Sequence, residues 1–83
     1  MENVFVQINK IFRDVFKKPN LRIKITDSPL DIDGWESLTH VMLIAAIEEH
    51  FSIEFSFRDL AGIKTVGDLV NIVEKKTNSS QVS

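Results

Sequence analysis

The 83-residue sequence contains no cysteine. A disulfide framework, a thiolate zinc site and a nucleophilic thiol are all excluded by that one absence, so any sulfur chemistry must be brought in from outside. Surplus positive charge is missing too. Ten Lys and Arg against twelve Asp and Glu leave a formal charge of -2, with the cations scattered along the chain. The field that draws a protein to nucleic acid is therefore lacking, and no nucleic-acid partner is expected. No apolar run approaches the roughly 18 residues that a membrane span requires, and "MENVFVQINKIFRDVFKKPN" has no basic segment ahead of an unbroken apolar stretch. A cytoplasmic protein is expected. The length suits one domain with one modest core.

What the sequence does contain is helical periodicity. Val4, Phe5, Ile8, Ile11, Phe12, Val15 and Phe16 recur at spacings of three and four, which places them on one stripe of a first helix. Lys17 and Lys18 suit its negative end, and Pro19 with Asn20 blocks continuation. Residues 20 to 36 then form a long connection. Ile23 and Ile25 alternate with Arg22 and Lys24 like a strand that has nothing to pair with, so Ile23, Ile25, Leu30 and Ile32 are expected to pin an extended loop to the helices. From Ser37 to His50 the helical pattern returns, with Leu43, Ile47 and Phe51 four apart and His40, Val41 and Ile44 on flanking rows. Ser56 with Asp59 three residues on marks the start of a short third helix that stops at Gly62. Thr65 with Asp68 repeats the device for a fourth, whose apolar face carries Val66, Leu69, Val70 and Val73. The expected fold is all-α: a small four-helix bundle of three longer helices and a short third one, spanning residues 1–76. "TNSSQVS", 77–83, has no packing pattern and is expected to be a disordered polar tail.

Several site types can be weighed directly. Asp31, Asp33 and Gly34 imitate part of a calcium loop, but in that register loop positions one and twelve fall on Pro29 and His40, which supply no carboxylate. His40 and His50 lie ten residues apart on one helix, about 15 Å, too far to share a metal. A nucleophile elbow needs glycine two residues either side of the serine, where Trp35 and Thr39 stand. No metal site and no catalytic constellation emerges, so no enzyme is expected.

Ser37 is the residue in question. A serine before an apolar helix commonly caps it. Here the position three on is His40, whereas a capping box wants Glu or Gln, and Asp33 with Glu36 has D-x-x-E spacing that could cap one turn earlier and leave the hydroxyl free. Both readings stay open on spacing alone.

Three blocks, "GWESL" at 34–38, "IEEHFSIEFS" at 47–56 and "IKTVGDLVNIV" at 63–73, resemble in order and spacing the acyl carrier protein family. The likeness covers roughly residues 2 to 76. It implies a four-helix carrier in which Ser37 bears a covalent 4'-phosphopantetheine arm, installed by a phosphopantetheinyl transferase and holding acyl cargo as a thioester partly sheltered between the second and third helices. That arm would supply the thiol the chain lacks. Glu36 stands where the family motif has Asp, and Leu38 matches the motif's leucine. Glu48 and Glu49 match acidic positions that meet partner enzymes. Thr39 and Met42 occupy positions that are acidic in the carriers of ordinary fatty-acid synthesis, which points to a specialised pathway; Met42 could equally be core, and Trp35 could anchor the loop or touch a partner. The implied function is a monomeric carrier serving acyl-loading and acyl-processing enzymes of lipid or specialised biosynthesis, with Glu36, Leu38, Met42, Glu48 and Glu49 facing partners. The competing expectation is an interaction module without an arm, in which Ser37 only caps the helix.

Overall fold

The structure is a computed structural model that describes the backbone of residues 3–82 and the side chains of residues 3–77. Four helices follow one another: α1 (Val4–Phe16), α2 (Ser37–Phe51), α3 (Phe57–Ala61) and α4 (Val66–Val82). There is no strand among the described residues, and the all-α expectation holds.

The α1 stripe does what its periodicity predicts. Ile8, Ile11 and Phe12 are buried, and α1 packs against both α2 and α4. Asn3 starts the helix by accepting the Val6 N–H at 2.8 Å, and Lys17 ends it in the left-handed conformation at φ 56°. From α2 come Leu43, Ile44 and Ile47, and from α4 Val66, Leu69, Val70 and Val73. Removing about 25 cal/mol of unfavourable hydration per Å² of this apolar surface is the main term that holds the three helices together. Val41 departs from its expected flanking row and is 65% exposed. At 3.6 residues per turn it lies about 120–160° round the helix from Ile47 and Leu43. Because α2 is apolar nearly all round, its composition does not reveal which side faces in.

The long connection is anchored, though by fewer side chains than expected. Ile23 and Ile32 are buried, but Ile25 is 59% and Leu30 98% exposed. Turns closed by Asp27 N–H to the Lys24 carbonyl and by Asp31 N–H to the Ser28 carbonyl rotate those two outward. Polar groups of α1 take up the backbone of the unpaired extended stretch: Asn9 bonds both Leu21 and Ile23, and Arg13 Nε donates to the Leu21 carbonyl at 2.7 Å. The same loop satisfies the start of α4, where Val66 N–H meets the Asp27 carbonyl at 2.9 Å and Gly67 N–H the Ile25 carbonyl at 2.8 Å. Glycine is required there, since a Cβ at position 67 would stand 2.7 Å from Ile25 Cγ2.

Both sequence-predicted capping boxes at the later helices are present. Ser56 and Asp59 exchange hydrogen bonds at α3, as do Thr65 and Asp68 at α4. The α4 backbone continues to Val82, past position 77 where an unstructured tail is expected. No Gly or Pro stops it, and each further residue adds a backbone bond to a helix already nucleated by packing. Residue 83 of that expected tail lies outside the described residues.

Candidate functional site

The segment before α2 makes a tight turn at Gly34, whose φ of 93° favours glycine. Trp35 then drops into the core, 4% exposed and edge-on to Phe12 with ring centroids 5.3 Å apart. Of the two roles open to it, Trp35 takes the anchoring one. Its Nε1–H donates to His40 Nδ1 at 2.9 Å, which ties the end of the loop to the first turn of α2. Burial holds His40 below its ordinary value of 6.5.

The cap of α2 is Glu36, in extended conformation, and not Ser37. Glu36 N–H donates to Thr39 Oγ1 at 2.8 Å, and the Thr39 hydroxyl in turn donates to the Gly34 carbonyl. Capping requires an extended residue whose side chain folds back on the next turn. Ser37 is already helical, so its oxygen points away from that task. The D-x-x-E arrangement of Asp33 with Glu36 is not the one used either: Glu36 pairs forward with Thr39, while exposed Asp33 receives Lys18 Nζ on its carbonyl at 2.9 Å and on its carboxylate at 3.7 Å. Ser37 is exposed, and its hydroxyl has no hydrogen-bond partner among the described residues.

Around Ser37 the other expected site residues separate into groups. Leu38 is 72% and Met42 46% exposed, so Met42 belongs to the surface and not to the core. With Ala45 and Glu49, both exposed, they form one stripe at four- and three-residue spacings along α2. Val41 flanks it, and Phe57 and Leu60 of α3 add apolar surface at 88% and 38% exposure. Glu48 behaves differently. Its carboxylate accepts the Phe55 N–H at 2.8 Å, which fastens the α2–α3 connection. Phe57, Leu60 and the Trp35–His40 pair escaped the sequence reading, because a tryptophan five residues before a histidine has no periodic signature. Among the described residues no three His, Cys, Asp or Glu gather where they could hold a metal ion. His50 meets Gln7 Oε1 at 2.9 Å instead.

The site therefore offers a solvent-facing primary alcohol on the first residue of a fifteen-residue helix. No acidic side chain lies in the first turn of α2, in contrast to Asp59 in α3 and Asp68 in α4. A phosphodiester on this hydroxyl would meet unengaged N–H groups and the positive end of the helix dipole, so the residues present fit a phosphate-linked group.

Residues 6–73 match the family described as "Phosphopantetheine attachment site". The chain is 35% identical over 74 residues to the acyl carrier protein of Clostridium acetobutylicum, covering 89% of this chain and 96% of that one. It is 32% identical, over 89% of this chain and 97% of the other, to the acyl carrier protein of Clostridium perfringens. Among solved structures, holo acyl carrier protein from Geobacter metallireducens superimposes with a TM-score of 0.89 at 35% identity, covering 95% of this chain and 91% of that one. A putative acyl carrier protein from Mycobacterium tuberculosis gives 0.78 at 32% identity, covering 87% and 96%. An exposed alcohol at the head of α2, a four-helix frame and these similarities converge: the chain belongs to the acyl carrier protein family, whose members are carriers and not enzymes and work through a covalently attached 4'-phosphopantetheine.

Proposed function

We propose that Ser37 is the attachment residue and that the chain carries an acyl or related group, as a thioester on the arm, between enzymes of a lipid or specialised biosynthetic pathway. The observation that supports this most is the displacement of the cap from Ser37 to Glu36, which leaves the hydroxyl exposed and unpartnered. In the loading step Ser37 Oγ forms the new bond to the phosphorus of coenzyme A, its proton passes to the transferase, and the adenosine bisphosphate half departs. Afterwards the protein's own tasks are to hold the root of the arm and to present a surface.

Leu38, Met42 and Glu49 on the exposed stripe, with Glu36 at its head, are the proposed partner contacts; Glu48 shares this edge while also tying the loop. Met42 on that stripe, with Thr39 beside its head, leaves this surface more apolar than the acidic type expected for ordinary fatty-acid service, which supports a specialised set of acyl-loading and acyl-processing partners. Thr39 also has a local reason to be threonine, since its hydroxyl joins Glu36 to Gly34. The carrier unit is taken as residues 1–76, working as a monomer in the cytoplasm.

The test is mass spectrometry after incubation with coenzyme A and a broad-specificity transferase. A gain of about 340 Da, one phosphopantetheine, is expected on the wild type and absent from Ser37→Ala. An unmodified wild type, or a modified Ser37→Ala, would remove the proposal.

A further inference from the structure

Trp35 and His40 are in direct contact. The buried indole donates Nε1–H to His40 Nδ1 at 2.9 Å, and the two rings stack with centroids 6.1 Å apart at 22°. An indole N–H can only donate, so Nδ1 is an acceptor, the ring is neutral, and its single proton sits on Nε2. Burial of His40 favours the same neutral form. The Nε2–H donor has no partner among the described residues.

The position of that donor gives it a use. His40 follows Ser37 by three residues, so the two side chains are neighbours on α2 with Cβ atoms about 5–6 Å apart. One cavity, about 370 Å³, is lined by His40 together with Pro29, Trp35, Glu36 and Ser37. A second, about 250 Å³ and mostly apolar, is lined by His40 with Val41, Ile44, Ala45, Glu48 and Leu60, between α2 and α3. The imidazole stands on the border between the space at the attachment hydroxyl and the space between the helices.

We propose that His40 is an arm-positioning residue: with its tautomer fixed by Trp35, it donates Nε2–H to a non-bridging phosphate oxygen of the group carried on Ser37 and holds the root of the arm against α2. This rests on Ser37 being the attachment residue. The ionisable groups lining the two cavities with His40, among the described residues, are the carboxylates of Glu36 and Glu48. Both are present with or without the arm, so a change in His40 on attachment reports the arm itself.

The experiment compares the full-length protein before and after transferase loading, by histidine-ring NMR titration and by phosphorus NMR. Before loading, His40 is expected as the Nε2–H tautomer at neutral pH. After loading it should gain its second proton at higher pH than before, because a phosphate anion beside the ring favours the charged form. The His50 ring, about 15 Å along the helix, is the internal control. In loaded protein His40→Leu should shift the phosphorus resonance, whereas His40→Gln, which keeps an N–H donor, should stay close to wild type. Trp35→Phe removes the donor to Nδ1, so the apo ring should become a mixture of tautomers. His40 titrating identically in both forms, or an unmoved phosphorus resonance in folded His40→Leu, overturns the positioning role. A mass gain confirmed at Ser37 alongside either result leaves attachment standing and removes only this inference; no mass gain at Ser37 removes both.

Discussion

The start of α2 and the starts of α3 and α4 solve one problem in two ways. At α3 and α4 a hydroxyl residue caps the helix and an Asp three residues on returns the bond, so Ser56 and Thr65 are fully occupied in structure. At α2 the cap moves back by one residue to Glu36, its N–H is satisfied by Thr39, and Ser37 stands free one position inside. A hydroxyl at a helix start is therefore available for chemistry only where a neighbour has taken over the capping. The acidic side chains follow the same division. Asp59 and Asp68 place carboxylates in the first turns of α3 and α4, while the first turn of α2 has no acidic side chain and its nearest carboxylate belongs to the N-cap residue Glu36.

The α2 start depends most on the anchor beneath it. Trp35→Ala removes a buried ring from against Phe12 and is expected to cost about 3–5 kcal/mol in denaturant titration, much of the stability of a domain of this size. Next come the working caps. Ser56→Ala and Thr65→Ala should each lower unfolding free energy by about 1 kcal/mol, and Thr39→Ala by a similar amount because Glu36 N–H then loses its acceptor. Ser37→Ala should change stability by less than about 0.5 kcal/mol while abolishing loading. A loss near 1 kcal/mol there would mean that the hydroxyl was capping after all.

Acid should separate the two kinds of helix start in order. Desolvation lowers His40 relative to the unfolded chain, so the stability it contributes is present above its unfolded value of 6.5 and fades as pH falls below it. Asp59 is held down to about 2 by its bond with Lys76 and then by the Ser56 N–H, and Asp68 is lowered first by the Lys64 N–H. Both contributions are present above 3.8 and are lost as pH falls below it, that of Asp59 only as pH approaches about 2. Trp35 fluorescence should therefore change in milder acid than the amide resonances of Asp59 and Asp68. A simultaneous change would show that protonation of His40 does not loosen the α2 start.

Much of the frame was legible in advance because its signals are local. The 3.6-residue stripe of Ile8, Ile11 and Phe12 and the boxes at Ser56 and Thr65 depend on residues within one turn of each other, and those elements stand where the spacing places them. The outward turn of Ile25 and Leu30 and the exposure of Val41 were not legible, since alternation and hydrophobicity say which residues can be buried but not which side of an apolar helix finds a neighbour. At the site, spacing left Ser37 undecided between cap and free hydroxyl, and the blocks resembling acyl carrier proteins pointed to the second.

Residue order by itself determined the helices, two of their caps, the family motif and the absence of any thiol, because these follow from side-chain chemistry within a few positions. Only the tertiary structure decided which residue caps α2, that Glu48 also fastens the α2–α3 connection, and that Trp35 meets His40 beside Ser37. Those outcomes depend on where the long loop is pulled into the core, a balance of packing and hydrogen bonding among residues far apart in the chain, which no local pattern encodes.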